Sequence, residues 1–204
     1  MTHLRNPQID DAVAVLTSGG ILAYPTETVY GLGADPYNPV AADRISALKG
    51  REAGKTFLAL VASPEMAADL TRSPGPLAEA LINAFWPGPL TLLLPAGPHC
   101  PRVLVSDDGF VGLRVSPDPI CAALVTAFGK PLISTSANRS GDRPCRSAEA
   151  VQQSLGASVD FILDDGPRQT QAPSTLLRVD NGGYEIIRHG AITRDQIEGT
   201  VSLL

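Results

Sequence analysis

The chain of 204 residues fits one domain, because a single hydrophobic core grows to about 250–300 residues before a chain divides. Its formal net charge of −5 disfavours a broad nucleic-acid surface but leaves room for a local basic cleft. The longest apolar runs, at 57–62 and 90–94, are far shorter than the roughly 20 residues that cross a bilayer. Acidic residues near the N-terminus argue against a secretion signal. We therefore expect a single cytoplasmic domain over residues 1–204 with no membrane partner.

Helical periodicity and Asn-Pro starts predict helices over about 7–18 and 39–49, which Gly19-Gly20 and Gly50 terminate. Further helices are predicted near 64–71, 76–85, 118–128, 147–155 and 193–199. Strands are predicted at 20–24, 56–62, 90–95, 110–115, 131–135 and 159–163. The runs 174–179 and 184–188 flank a turn at 180–183 and predict an antiparallel hairpin. Early alternation followed by a hairpin predicts an α/β fold with a mixed sheet.

The cysteines and histidines show no spacing of functional importance. Cys100, Cys121 and Cys145 lie far apart and odd in number, which argues against a disulfide framework and fits a reducing compartment. The three histidines likewise lack the spacing of zinc ligands. We therefore predict no metal held by the protein itself.

Three cations cluster where the second predicted helix ends: Lys49, Arg51 and Lys55. The surrounding sequence GREAGKT at 50–56 resembles a Walker A loop. Its spacing is one residue short, and the order helix, loop, strand does not supply the helix N-terminus that such a loop needs. The cations are therefore either solvated surface charges or a clamp for phosphate, since lysine and arginine both bind phosphate well.

Two hydroxyl-rich segments, PTETVYGLG at 25–33 and STSANRSG at 134–141, each follow a predicted buried strand. Both are interpreted as loops. Their hydroxyl groups either satisfy the backbone of a turn or orient a ligand at the edge of the sheet. A serine hydrolase is disfavoured because no G-x-S-x-G elbow is present.

Seven segments together resemble one family. They are PTETVYGLG, the Lys49 and Arg51 pair, WPGPLTLLLP at 86–95, GLRV at 112–115, STSANRSG, PSTLL at 173–177 and IIRHGAI at 186–192. In this order they are similar to the YrdC-like family of threonylcarbamoyl-AMP synthases, in its single-domain, TsaC-type form. The resemblance implies a mixed, twisted open sheet with helices, the YrdC-like fold.

The resemblance also implies a nucleotidyltransferase that makes L-threonylcarbamoyladenylate from L-threonine, bicarbonate and ATP, with release of pyrophosphate. The product would serve N6-threonylcarbamoyladenosine modification at position 37 of tRNA, through a separate threonylcarbamoyl transferase complex. Mg²⁺ is expected to arrive bridging the ATP phosphates. A direct contact with tRNA is compatible with the resemblance.

The resemblance further implies the site residues. Catalytic and ATP-binding positions match Lys49, Arg51, Ser136 and Asn138, with Arg188 as a further ATP contact. Threonine-binding positions match Thr26, Lys55, Arg114, Ser134 and Ser174. We expect Arg114 to pair with the threonine carboxylate, and Lys49 and Arg51 to lie exposed in a cleft where they converge with the two hydroxyl-rich segments.

A second function class stays open at this point, an RNA-binding module that acts in tRNA or double-stranded RNA maturation through the same basic cleft. The net charge of −5 and the few aromatic residues count against it. A third alternative, an adenylate-forming module of a larger maturation enzyme, is disfavoured by the length of the chain.

Overall fold

The computed structural model describes residues 7–50, 56–169 and 172–204. The helices in these ranges are α1 (Pro7–Thr17), α2 (Pro39–Leu48), α3 (Pro64–Leu70), α4 (Gly75–Phe85), α5 (Pro119–Phe128), α6 (Ala148–Leu155) and α7 (Arg194–Val201). The strands are β1 (Leu22–Pro25), β2 (Tyr30–Gly33), β3 (Leu58–Leu60), β4 (Leu90–Pro95), β5 (Phe110–Arg114), β6 (Leu132–Ser136), β7 (Phe161–Ile162), β8 (Thr175–Asp180) and β9 (Gly183–Arg188). Two short 3-10 turns, Arg102–Leu104 and Gly156–Ser158, complete the set.

The strands form one open sheet in the order β7-β1-β2-β6-β3-β5-β4-β8-β9. The pairs β1–β7, β3–β5 and β4–β8 are parallel, and the other neighbouring pairs are antiparallel. The predicted mixed α/β sheet is therefore confirmed. Strand β6 lies near the middle, where it pairs with β2 on one side and β3 on the other.

Both faces of the sheet are covered by helices. The alternation of side chains along a strand sends Leu22 and Tyr24 to one face, where α1 and α5 pack. It sends Ile21 and Ala23 to the other face, where α2, α3, α4, α6 and α7 form the larger core. The molecule thus has three layers, with the sheet in the middle.

The predicted elements agree with the observed ones to within two residues at each end. The Asn38 side chain caps α2 by accepting hydrogen bonds from the backbone amides of Val40 and Ala41, at 3.1 and 3.2 Å. The predicted cap of the first helix, Asn6, lies outside the described residues. The predicted hairpin is confirmed, because β8 and β9 pair antiparallel across a turn at Asn181-Gly182.

The interpretation of 25–33 as a loop is wrong, because residues 30–33 form strand β2. The reason is tertiary packing: a Cβ atom on Gly31 would lie 3.1 Å from the Tyr24 ring, and one on Gly33 2.9 Å from it. The glycines let the backbone of β2 pair directly with β1 while the Tyr24 ring lies over them. Similarly, the loop interpretation of STSANRSG fails for its first three residues, because β6 includes 134–136 and ends one residue beyond the predicted strand 131–135.

None of the helices within the described residues has the length and apolar character that a membrane crossing requires. The three cysteines form no disulfide, as the sequence predicted. Burial raises the pKa of the Cys121 thiol to about 12 and that of the Cys100 thiol to about 11.

Candidate functional site

A cavity of about 1180 Å³ opens along β6. This exceeds the usual volume of about 300–1,000 Å³ for a single small-molecule pocket, so it has room for a nucleotide and an amino acid together. Its described lining includes hydroxyl groups, four arginines and no carboxylate. The arginines are Arg114, Arg143, Arg146 and Arg188.

Arg114, at the end of β5, is fixed in place by an acidic partner that is itself little exposed. One of its terminal nitrogens donates to Glu27 Oε1 at 2.6 Å, and the two side chains are only 11% and 12% exposed. The second carboxylate oxygen of Glu27 accepts a hydrogen bond from the Ser116 hydroxyl at 2.8 Å. Glu27 thus holds one edge of the guanidinium group and leaves its remaining donors available toward the cavity.

Ser134 is oriented from behind by a tyrosine. The Tyr24 hydroxyl donates to Ser134 Oγ at 2.8 Å, and the Tyr24 side chain is fully buried. Burial is the main reason that the pKa of Tyr24 is raised far above its ordinary value. Because that hydroxyl stays protonated, it remains a donor, and Ser134 is free to direct its own proton into the cavity.

Ser174 lies in a small polar group with Thr91 and Arg188. The Thr91 and Ser174 hydroxyls are 2.9 Å apart, and both residues are buried. Arg188 Nη2 donates to the Ser174 hydroxyl at 3.1 Å and to its backbone oxygen at 3.0 Å. Burial, and then the positive charge of nearby Arg114, lower the pKa of Arg188, so these two arginines lie within electrostatic reach of each other.

Thr26 also lines the cavity, but its hydroxyl already closes the turn between β1 and β2. Thr26 Oγ1 donates to the Val29 backbone oxygen at 2.7 Å and accepts from the Thr28 amide at 3.3 Å. This arrangement is a Ser/Thr turn of the kind that the sequence left open.

Lys49 and Asn138 are buried at 7% exposure each, behind the cavity wall. Lys49 Nζ donates to the Ser136 backbone oxygen at 2.9 Å, to Ser136 Oγ at 3.2 Å and to Asn138 Oδ1 at 2.6 Å. The expectation that Lys49 lies exposed in the cleft is therefore wrong. The ammonium group has three donors and hydrogen-bonds to these three acceptors. Because the charge is hydrogen-bonded in this way, the lysine side chain can be buried.

Asn138 uses both ends of its amide. Its oxygen accepts from Lys49 and from the Ser136 hydroxyl, at 2.6 Å in each case. Its nitrogen donates to the backbone oxygens of Arg139 and Asp142, at 2.8 and 2.9 Å. Asn138 thus links the buried lysine to the turn that follows β6. Of the three linked residues, Ser136 is the one in the described lining of the cavity.

The structure brings most of the predicted site residues to one place. Arg114, Ser134, Ser174, Thr26, Ser136 and Arg188 line the same cavity, and Lys49 and Asn138 support it from behind. Arg51 and Lys55 lie outside the described residues. Their predicted roles stay predictions.

The sequence reasoning missed Glu27, Arg143 and Arg146, and it also missed three supporting residues, Tyr24, Thr91 and Ser116. Glu27 lies within PTETVYGLG and holds Arg114, but the sequence assigned it no role. Arg143 and Arg146 line the cavity and follow the STSANRSG segment closely. Their signal in the sequence is two arginines within four residues of one another, which by itself is typical of a solvated loop.

Known proteins are similar to this chain in sequence and in fold. The model of the Sua5/YciO/YrdC family, described as "Telomere recombination", matches residues 14–190. A threonylcarbamoyl-AMP synthase from Alkalilimnicola ehrlichii is 43% identical over 181 residues, which are 88% of this chain and 94% of that protein.

Two solved structures extend the comparison. P. abyssi Sua5 complexed with L-threonine has a TM-score of 0.89 at 33% identity, over 95% of this chain and 57% of that one. E. coli YciO has a TM-score of 0.84 at 26% identity, over 95% of this chain and 94% of that one. With a family model and a close relative that each cover most of its length, the chain belongs to the Sua5/YciO/YrdC family.

Proposed function

We propose that this protein synthesises L-threonylcarbamoyladenylate from L-threonine, bicarbonate and ATP, with release of pyrophosphate. The observation that carries the proposal is the cavity of about 1180 Å³, whose described lining combines four arginines and several hydroxyls with no carboxylate. Such a lining favours ligands with anionic groups. Relatives named threonylcarbamoyl-AMP synthase, 43% and 38% identical to this chain, support the specific reaction.

L-threonine is proposed to bind where the polar groups are already fixed. Arg114 would pair with its carboxylate, because Glu27 holds one edge of the guanidinium group and leaves a planar pair of donors for a second carboxylate. Ser134 and Ser174 would bind the hydroxyl and amine of threonine. The P. abyssi Sua5 structure with L-threonine supports an amino-acid site in this fold.

The reaction needs no nucleophile from the protein. The threonine amine adds to bicarbonate, with loss of water, and gives a carbamate. A carbamate oxygen then attacks the α-phosphorus of ATP, and the bond to the bridging oxygen breaks so that pyrophosphate leaves. The site has to bring the reactants together and stabilise the charge on the phosphates.

Cys145 is the one thiol in the described lining of the cavity, and it is poorly suited to attack. Burial raises its pKa above the ordinary value of a thiol, which lowers the fraction of reactive thiolate at neutral pH. The serine hydroxyls of the lining have no histidine beside them in the described lining. Direct attack of the carbamate on ATP therefore suits these residues better than a covalent enzyme intermediate.

Mg²⁺ is proposed to enter as part of the MgATP substrate. Mg²⁺ in nucleotide sites is typically held by substrate phosphates, waters and one or two carboxylates. The described lining offers the hydroxyls of Ser136 and Thr135, which suit hydrogen bonds to waters of the hydrated ion. The ion would reduce the charge on the phosphates as pyrophosphate leaves.

We further propose that the product is consumed in the cytoplasm by a separate transferase that modifies tRNA. The mixed anhydride of a carbamate and a phosphate hydrolyses readily, so it needs an acceptor nearby. Direct tRNA contact is testable by retention of tRNA on the protein at low and high salt, because phosphate contacts weaken steeply as salt rises.

The decisive experiment measures pyrophosphate release with ATP, threonine and bicarbonate together, and with each one omitted in turn. Release that requires all three, with the adenylate detected by mass spectrometry, is the expected result. Release that continues without threonine would indicate an ATP pyrophosphatase, and no release under any condition would contradict the proposal. A preparation carrying Arg139→Ala, an exposed arginine outside the described cavity lining, serves as the control.

A further inference from the structure

Two cationic side chains on the wall of the cavity have no assigned role. Arg143 and Arg146 line it and are exposed. The other arginines in the described lining are already engaged, Arg114 by Glu27 and Arg188 by Ser174. No ion pair within the described residues joins a carboxylate to Arg143 or Arg146.

The backbone that carries these two arginines is firmly attached to the sheet. The Cys145 amide donates to the Ala137 oxygen at 2.8 Å, and the Cys145 oxygen accepts from the Tyr30 amide at 2.9 Å. The Arg146 oxygen accepts from the Arg168 amide at 2.7 Å. Because its hydrogen bonds join it to several elements, the segment presents its guanidinium groups from a fixed position.

The position of this segment along β6 shows which residues lie at each end of the cavity. Ser134, which Tyr24 orients, lies two residues before Ser136, a separation of about 6.6 Å along a strand. Cys145 pairs with Ala137, so the arginines that flank it lie beyond Ser136 and away from Ser134. If threonine binds at Ser134, the reacting carbamate points toward Ser136. Arg143 and Arg146 then lie beyond the carbamate, further along the cavity.

The described cations that the sequence assigned to phosphate do not cover the whole cavity; Arg51, assigned with them, lies outside the described residues. ATP carries about four negative charges on its triphosphate. Among the cations that the sequence assigned to phosphate, Lys49 is buried and bound to three oxygen acceptors. Arg188 lies beside Arg114 and Ser174, at the end proposed for threonine. Neither Lys49 nor Arg188 therefore supplies positive charge at the far end of the cavity.

We propose that Arg143 and Arg146 form the subsite for the β- and γ-phosphates of ATP, which leave as pyrophosphate. Planar guanidinium groups bind phosphate oxygens through paired hydrogen bonds, and two of them on one short, anchored segment match two adjacent phosphates. This assignment rests on the proposed function, because it takes ATP as the nucleotide and pyrophosphate as its leaving group.

The test compares ligands that differ only in the terminal phosphates. Titration calorimetry with ATP and with AMP is carried out on the wild type, Arg143→Ala, Arg146→Ala and the double variant. Each single change is expected to weaken ATP binding about tenfold, and the double change about a hundredfold, as for loss of charge-assisted hydrogen bonds. AMP binding is expected to stay within about twofold. Equal losses for ATP and AMP, or no loss for either, would overturn the subsite.

Pyrophosphate itself provides a second readout. It is expected to inhibit adenylate formation by the wild type and to inhibit the double variant about a hundredfold less strongly. Lysine at both positions is expected to restore part of the effect, since it keeps the charge but loses the paired geometry. Arg139→Ala is the matched control, because Arg139 is exposed on the same segment but outside the described lining.

The two proposals can fail separately. If the wild type makes the adenylate and pyrophosphate inhibits the wild type and the double variant equally, the subsite is wrong and the function stands. If the wild type makes no adenylate, the proposed function fails, and the difference between ATP and AMP binding still decides whether these arginines hold the terminal phosphates.

Discussion

Both ends of the cavity carry arginine side chains, but these differ in exposure and in ion pairing. At one end, Arg114 is 11% exposed and bound to Glu27 at 2.6 Å. At the other end, Arg143 and Arg146 are exposed, and no ion pair within the described residues engages them. We call the first end, with Arg114, Ser134 and Ser174, the paired end. We call the second end, with Arg143 and Arg146, the open end.

The difference indicates two ways of binding an anion. A guanidinium group that an internal carboxylate holds in place loses little freedom on binding, and its fixed direction favours one ligand geometry. An exposed guanidinium group is screened by salt and water, but it still has its full charge for a ligand with several negative charges. A small zwitterion suits the paired end, and a polyanion suits the open end.

The largest expected effect comes from Lys49, which holds Ser136 and Asn138 in place behind the cavity wall between the two ends. Lys49→Met keeps much of the aliphatic stem but removes the donor to Ser136 and Asn138. Because buried acceptors then lose their partner, we expect the free energy of unfolding to fall by about 2–3 kcal/mol. Adenylate formation should fall more than a hundredfold, about 2.7 kcal/mol in the barrier.

Urea unfolding and pyrophosphate release measure the two effects of Lys49→Met. Lys130→Met is the matched control, because that lysine is 48% exposed, so that water screens its ion pair to about 1 kcal/mol or less. Its buried partner Asp35 also keeps the hydrogen bond from the Tyr37 amide at 2.8 Å. Loss of activity with unchanged stability would contradict the buried structural role and would indicate that Lys49 contacts the ligand directly.

A second prediction separates the two ends directly. Arg114→Ala is expected to raise the KM for threonine about a hundredfold, as for loss of a paired, charge-assisted contact, with the KM for ATP changed less than threefold. Glu27→Gln keeps a hydrogen-bond acceptor for Arg114 and should give a smaller rise, about tenfold. Equal effects of Arg114→Ala on both substrates in steady-state kinetics would contradict the paired end.

The sequence predicted much of this arrangement because its strongest signals are local. Asn38 before Pro39 specifies a helix start through a side-chain cap, and the turn at 180–183 specifies a hairpin. Strand β2 was missed because Gly31 and Gly33 are typical of loops. The Tyr24 ring leaves no room for a Cβ atom at either position, and this contact between two strands has no local signature in the sequence.

The same distinction applies to the site. Arg114, Ser134, Ser136 and Ser174 were identified through their motifs, and they line one cavity. The environment of Lys49 could not be predicted, because its acceptors lie 87 and 89 positions away in the chain. Arg143 and Arg146 look like ordinary charges of a polar loop until the hydrogen bonds of Cys145 place them on the cavity wall.

A third prediction tests how far orientation matters at the paired end. Tyr24→Phe removes the hydroxyl that donates to Ser134 Oγ and leaves the ring that covers β2. We expect a rise of about fivefold in the KM for threonine and a loss of about 1 kcal/mol in the free energy of unfolding. Tyr37→Phe is the control, since Tyr37 is 52% exposed and outside the described lining. An unchanged KM in Tyr24→Phe would mean that Ser134 needs no support from behind.

The smallest effect is a pH dependence outside the working range. It comes from two buried tyrosines, Tyr24 behind the paired end and Tyr30 beside Cys145. Burial is the main cause that raises the pKa of Tyr30 to about 12 and that of Tyr24 still further. An unfolded tyrosine ionises near pH 10. Above that pH the unfolded state loses protons that the folded state keeps, so these residues favour unfolding as the pH rises from about 10.

This contribution should be absent below pH 10 and grow from there, so unfolding free energies measured by urea at pH 8 and pH 11 determine it. The buried thiols add an alkaline dependence that starts lower, near pH 8.5, and is common to all variants. The difference between wild type and Tyr24→Phe therefore isolates the tyrosine. We expect the stability lost between the two pH values to be smaller in Tyr24→Phe, with Tyr37→Phe closer to wild type. Equal losses in wild type and Tyr24→Phe would mean that water reaches the Tyr24 hydroxyl. The paired end would then not be enclosed, and its contrast with the exposed open end would fail.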